Sequence, residues 1–417
     1  MRRSIRATVS AAISTALALA LPISLASRAE GASTRSLFLG EAFGSYSFVG
    51  ETAMTGKTAY TTIGCQARPG THVENTMGSN SEENMNSGSV NTSGDAIKNA
   101  SVTKTLTTSV VNRANLLQGR ITASRVKAVS ATIRDAGGMR TSAAGSSLTN
   151  VVVFGETLEV APGPNTRITL PRFGYAVLNE QFTGNVGSLE FLAVNGIHVY
   201  ITEMNPLRIP VGSQFVMAHA YSALKPTIAA IVGGQAYGHK LFEGSRIQSG
   251  PSAIVYMPCA GTGGKVVEND LAAVTHPPAF QLGEVKDTAT GTVTSKSATS
   301  QTTSSIESVS LLGGLVTADL VKAVARASKD GSGVAFSDAG SQFVNLVVAG
   351  RLMGQRIAPN TAIQLPGIGT LWLRRVIRTP YSIEIRMIDL PVNQDNPFEL
   401  KPGSKLQLAV ARALVLP

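Results

Sequence analysis

The chain is written twice, and that doubling restricts it to folds that one polypeptide can build side by side. Gly44, Gly50, Gly56, Ala59, Cys65 and Gly70 return 194 positions later as Gly238, Gly244, Gly250, Ala253, Cys259 and Gly264. Val73-Glu74-Asn75 returns at the same offset as Val267-Glu268-Asn269. One extra residue moves the offset to 195, where Gly119, Thr122, Ala123 and Val126-Lys127-Ala128-Val129 match Gly314, Thr317, Ala318 and Val321-Lys322-Ala323-Val324. Pro164-Asn165-Thr166 matches Pro359-Asn360-Thr361; after a loss of four residues Asn205-Pro206 matches Asn396-Pro397. A unit of this length is a duplicated domain, well beyond the roughly 20–50 residues of a solenoid repeat.

The first 29 residues stand apart from the repeat. Arg2, Arg3 and Arg6 precede an uncharged stretch that runs to Ala26, and small residues end both Ser24-Leu25-Ala26 and Ser27-Arg28-Ala29. This is the layout of a secretory signal peptide, so residues 1–29 are expected to be a leader and the mature chain to begin near Ser27 or Glu30. No cysteine follows for lipid attachment, and Leu414-Val415-Leu416-Pro417 is no apolar anchor. The product is expected to be secreted or held non-covalently at a surface, with no integral membrane segment in the mature chain.

Charge narrows the partners. The formal charge of +10 falls to about +6 without Arg2, Arg3, Arg6 and Arg28. The remaining basic residues are scattered, apart from Arg374, Arg375 and Arg378, and eight Tyr and one Trp give little to stack on bases. Nucleic acid is therefore not an expected partner. A mildly basic exported chain suits anionic cell-wall polymers or surface proteins.

Forty-one glycines, many Ser and Thr and few helical runs indicate an all-β chain. The expected architecture is two tandem β-sandwich-like domains, residues 36–224 and 230–417, joined by a linker from Lys225-Pro226 to Gly233-Gly234. Asn150–Phe154 and Asn345–Ala349 read as equivalent buried strands, and Asn165 and Asn360 as equivalent turn residues. Thr122–Ser130 and Thr317–Ala327 fit strands with a bulge better than helices. The polar stretches Thr76–Asn99 and Asp270–Ser304 read as long loops or solvated hairpins, with alternating Thr288, Thr290, Thr292 and Thr294 marking an exposed strand.

Catalytic patterns are absent from the sequence. The five histidines lack zinc-ligand spacing, and neither Gly145-Ser146-Ser147 nor Gly340-Ser341-Gln342 is a hydrolase elbow. Glu74 and Glu268 read as strand-edge residues, Asp135 and Asp330 as turn residues; the acidic loop at Asn393–Asn396 is a weak calcium pattern. His198 and His219, in strands near the end of the first domain, are placed to approach one another, and with Glu180 they are the candidate site residues. No metal or other cofactor is expected. Cys65 and Cys259 occupy equivalent positions, so they can pair only near a pseudo-two-fold axis between the domains. Domains strung end to end leave both thiols free and buried, the arrangement favoured here.

These pieces resemble the actinobacterial secreted family called choice-of-anchor P. The resemblance rests on Ala42-x-Gly44, the lone cysteine after an apolar strand, Leu311-Leu312-Gly313-Gly314, Asn345-Leu346-Val347-Val348-x-Gly350, Leu178-Asn179-Glu180-Gln181 and Val194-Asn195-x-Ile197-His198-Val199. It covers nearly the whole mature chain twice; the second copy departs from it with Arg374-Arg375 in place of Asn179-Glu180 and no histidine at Arg386. The resemblance implies export and varied anchoring, with no activity to carry over. The expected function is that of an exported, non-enzymatic tandem β-domain protein with a structural or binding role at or near the cell envelope. The alternatives are a secreted hydrolase with its site at the domain interface and a glycan-binding module, the latter disfavoured by scarce aromatics.

Overall fold

In the computed structural model the described residues are 35–49, 52–158, 162–354 and 356–417. The expected leader, residues 1–29, lies outside them. The described residues are all β apart from one short 3-10 turn at Leu312–Gly314. Each half contributes one seven-stranded and one ten-stranded antiparallel sheet, and the two sheets of a half pack face to face. In the first half the smaller sheet runs Thr166–Leu170, Gly174–Val186, Leu189–Ile201, Ser213–Ile228, Arg35–Val49 and Thr52–Thr55, with Thr61–Ile63 also on the Arg35–Val49 strand. The second half repeats that order with Thr361–Leu365, Gly369–Thr379, Ser382–Pro391, Ser404–Leu416, Ile231–Glu243 and Arg246–Ser249, plus Val255–Met257. The duplication expected from the sequence is thus a duplication of topology.

In the smaller sheets period-two burial inverts at one row of neighbouring strands. Phe215 and Met217 face the core, Ala218 takes φ 58°, and the core side resumes at Ala220. On the neighbouring strands Ile197 and Val199 give way across Gly196 to Val194 and Leu192, and Asn179 has φ 49°. The second copy repeats the inversion with Arg374 at φ 47° and Ala409 at φ 45°. The left-handed residues Asn179 and Ala218, with their counterparts Arg374 and Ala409, turn the following side chains to the other face and bend the sheet. A Cβ on Gly196 would collide with Val126 Cγ1 of the facing sheet. Gly196→Ala is therefore expected to cost about 2–3 kcal/mol, measured as a fall in the urea midpoint; an unchanged midpoint would show that the sheets can spread at this row.

Several local expectations change. Asn150–Phe154 and Asn345–Ala349 are equivalent but shrink to the two-residue strands Val152–Val153 and Val347–Val348, because Asn150, Phe154, Asn345 and Ala349 all have positive φ. Asn165 and Asn360 do form equivalent turns, each side-chain oxygen accepting from the backbone of Gln181 or Val376. Thr122 and Thr317 lie in the long strands Ile121–Asp135 and Val316–Asp330. The polar stretches are strands as well, including Val90–Lys98, Val285–Val293 and Ala298–Leu311. Hydroxyls on the adjoining strand Thr103–Leu116 and on Ala298–Leu311 are satisfied inside the sandwich: Thr105, Thr107 and Ser109 donate to carbonyls of Ala223, Tyr221 and Phe43, and Ser300, Thr302 and Ser304 to those of Gly233, Arg412 and Tyr237. Small hydroxyl residues let the two sheets approach closely without stranding a polar group.

The expected linker is not one. Strand Ser213–Ile228 leads through only Ala229-Ala230 into Ile231–Glu243, and Ile228, Ala230 and Ile231 are buried. The second half's core continues into the first through Leu37, Leu189, Ala223 and Ile228. Lys225 Nζ donates to the Val293 carbonyl at 2.5 Å across the junction, and Arg35 donates to the Pro417 carbonyl at 3.0 Å. Cys65 and Cys259 are joined as a disulfide, Cα atoms 5.9 Å apart, which corrects the expectation of free thiols. Equivalent residues meet in this way at the junction where the halves share one core.

Candidate functional site

The inversion row decides where the candidate residues point. Ala176, Leu178, Val199 and Ile201 face the core, so Tyr175, Val177, His198 and Tyr200 face outward. Past the row the outward set is Glu180, Asn195, His219 and Phe43, which are cross-strand neighbours. Glu180 and His198 lie on either side of the bend and meet across it. His198 Nδ1 lies 2.6 Å from Glu180 Oε2, Asn195 Nδ2 donates to the same oxygen at 2.8 Å, and the Tyr200 hydroxyl donates to Oε1 at 2.7 Å. His198 Nε2 is 3.0 Å from Gln214 Oε1. Glu180, Asn195 and His198 are all buried.

Asn195 ties the two histidines together: its Oδ1 lies 2.6 Å from His219 Nδ1. His219 stacks on Phe43 with ring centres 4.5 Å apart, and its Nε2 is 3.6 Å from Glu41 Oε1. Glu41 in turn accepts from Lys57 Nζ at 3.1 Å and from the Tyr60 hydroxyl at 3.2 Å. The polar chain therefore runs from Lys57 through Glu41, His219, Asn195 and Glu180 to His198. His198, His219 and Glu180 were singled out from sequence; Asn195, Glu41 and Lys57 were not. Asn195 stood in the quoted Val194–Val199 motif, three residues before His198, and its outward orientation follows only from the bend.

Burial raises the Glu180 pKa, but the bonds from His198, Tyr200 and Asn195 outweigh it and leave the carboxyl below its ordinary range. Burial raises the Tyr200 phenol, and Glu180 adds to that. Burial pushes His219 down to about 4, with Glu41 opposing and Lys57 and His198 assisting. His219 is thus neutral at neutral pH; its Nδ1–H donates to Asn195 and its Nε2 lone pair faces Glu41. Because the folded pKa of Glu180 lies below its unfolded value, the stabilisation it supplies is complete above the unfolded pKa and is lost as pH falls through the folded one. Glu180→Gln is expected to cost about 2–4 kcal/mol at pH 7 and much less at pH 3, read as urea midpoints at both pH values; an equal loss at both would mean that packing, not charge, is at stake.

The second copy provides an internal comparison. Position for position, Glu180, Asn195, His198 and His219 are replaced by Arg375, Arg386, Asp389 and Val410. Asp389 is fully buried and pairs with Arg375 at 2.5 Å and Arg386 at 3.0 Å. Both copies place a polar cluster over the bend, its carboxylate at Glu180 in the first and at Asp389, the counterpart of His198, in the second. The bend therefore needs a polar cross-link, and no particular titratable set. The alignment of His198 with Asp389 also corrects its expected match to Arg386.

The other candidates have local roles. Asp135 pairs with Arg140 at 2.8 Å and caps Gly137 in a hairpin turn. Asn75 and Asn269 each donate to a carbonyl, of Tyr60 and Ile254, which explains their recurrence. Glu74 and Glu268 sit exposed on edge strands, beside His72 and Lys286 respectively. The Asn396 amide bonds to the Leu400 carbonyl of its own loop. At the junction between the halves, where a hydrolase site was the alternative, lie the continuous core, the disulfide and the Lys225–Val293 bond. A cleft of about 460 Å³ lies on the outer face of the second half's larger sheet, lined by Thr290, Thr292, Thr299, Gln301, Arg326 and Phe336.

The chain is thus an all-β protein of two like halves, each a pair of packed sheets. No family model matches it, and no curated protein does. Among solved structures, it was compared with a point mutant of the vaccine antigen transferrin-binding protein B (TbpB) from Haemophilus parasuis Hp5. The identity is 9%, over 92% of this chain and 76% of that one, with a TM-score of 0.10, too low to carry a structural argument.

Proposed function

We propose that this is an exported, non-enzymatic binding protein that acts at or near the cell envelope, as the resemblance to choice-of-anchor P proteins implies. Its working surface is the outer face of the first half's smaller sheet. The observation that carries this reading is the exchange of side chains between copies. One backbone bears Glu180–His198 in one half and Arg375–Asp389 in the other, so these groups act as cross-links over a bend. His198 has both ring nitrogens engaged, by Glu180 and Gln214, and offers neither to a substrate. Beside this cluster, the same face concentrates aromatic and cationic groups. Tyr175 stacks on Tyr200 at 4.7 Å under the Arg167 guanidinium, and Phe43, Tyr46 and Tyr60 surround Lys57. Aromatic faces next to fixed charges suit adhesion to polar, ring-bearing or charged polymers. Fractionating the producing cell into medium, wall and membrane tests it. Retention on isolated walls that salt and Tyr175→Ala/Tyr200→Ala both weaken is expected. Turnover of peptide, ester or glycoside substrates that His198→Ala abolishes would overturn the reading.

A further inference from the structure

Lys57 sits in a box of aromatic rings. Its Nζ lies 5.0 Å from the ring centre of Phe43, 5.0 Å from that of Tyr60 and 5.8 Å from that of Tyr46. Both oxygens of Glu41 accept from it at 3.1 Å, and the Tyr60 hydroxyl holds the same carboxylate at 3.2 Å. His219 backs the Phe43 wall, and its unprotonated Nε2 adds a second acceptor facing Glu41. Rings with their electron-rich faces turned to a cation, closed by a carboxylate, are the chemistry that recognises an alkylammonium group.

The second copy shows that the fold does not need this box. Glu41, Tyr46, Lys57, Tyr60 and His219 correspond to Gln235, Lys240, Pro251, Ile254 and Val410, while Gly44, Gly56 and Ala59 are kept as Gly238, Gly250 and Ala253. The segment carrying Lys57 is anchored by backbone instead. Gly44 donates to Thr58 and Thr58 to Ser45, as Gly238 donates to Ser252 and Ser252 to His239. A cleft of about 340 Å³ lined by Leu39, Glu41, Thr62, Cys65 and Tyr221 opens beside the carboxylate.

We propose that Glu41, Phe43, Tyr46 and Tyr60 form a recognition site for a primary alkylammonium group, which Lys57 occupies in the free protein and a partner's ammonium replaces. The site names what one part of the binding face takes, and in that sense rests on the reading above. Because Lys57 is tethered, it competes at a high effective concentration, and removing it should expose the intrinsic affinity.

The test is titration of the full chain with n-butylammonium, followed by NMR of the tyrosine and phenylalanine ring signals. Lys57→Ala should bind at least tenfold more tightly than the wild type, and Glu41→Gln added to it should remove at least tenfold of that. 1-Butanol should produce no saturable shift. Lys57→Met, which keeps the aliphatic stem, serves if the alanine variant is unstable. Preference for a lysine-containing peptide over cadaverine would point to a polypeptide partner and the reverse to a free amine; either ranking supports the site. A folded Lys57 variant with no saturable shift, or equal shifts with butanol, overturns it. Wall retention with no ammonium binding would sink this site alone; ammonium binding without any envelope association would sink the broader reading and leave the site standing.

Discussion

Replacing Cys65 and Cys259 by serine should lower the free energy of unfolding by about 4–5 kcal/mol. The bridge joins residues 194 apart, so in the unfolded chain it closes a loop nearly half the length of the protein. On the chain-entropy account, closure of a loop of this size removes about 5 kcal/mol of freedom from the unfolded state. The bridge also lies where the two halves share one core, through Leu37, Leu189, Ala223 and Ile228. Urea midpoints of the wild type, oxidised and reduced, and of the double serine variant provide the measurement. The reduced protein and the variant should agree; a loss below about 1 kcal/mol would mean that the shared core alone sets the stability.

Asp287→Thr should stabilise the protein at pH 7 by about 2–4 kcal/mol and have almost no effect at pH 4. Asp287 faces the interior of the second sandwich between Val285 and Ala289 and is completely buried. Neither carboxyl oxygen has a hydrogen-bond partner. The polar groups beside it are committed elsewhere, Ser304 to the Tyr237 carbonyl and the Gly238 amide to that of Ser252. Burial raises its pKa from 3.8 to about 8, with weaker opposition from Ser304 and Gly238. Here the folded value lies above the unfolded one, so the unfolded chain releases the proton first. The cost is absent below about pH 4, grows by about 1.4 kcal/mol per unit as pH rises, and levels off above about pH 8. The equivalent residue in the first half is Thr92, whose hydroxyl donates to the Ala59 carbonyl at 2.5 Å. Threonine at 287 therefore fits the repeat and removes the titrating group. Stability profiles of both proteins from pH 4 to 9 decide the matter; parallel profiles would show that Asp287 is hydrated or partnered in solution.

The amino-acid sequence by itself determined the duplication, the β class and the turns, because these depend on local properties. Positive-φ asparagines, fixed prolines and alternating side chains act over a few residues, and they recur wherever the backbone recurs. Asn165 and Asn360 were legible for that reason. Only the tertiary structure decided which Ser/Thr-rich runs were core, since Thr105 or Ser304 is comfortable inside only when a carbonyl from the opposite sheet is within reach. It also decided that the Lys225–Gly234 segment is strand on either side of Ala229-Ala230, that Cys65 meets Cys259, and that Glu180 and His198 meet. The last depends on left-handed residues at Asn179 and Ala218, which turn the next side chains to the other face. A period-two reading carries no sign of such a turn, because alanine and asparagine adopt it only when neighbouring strands bend with them.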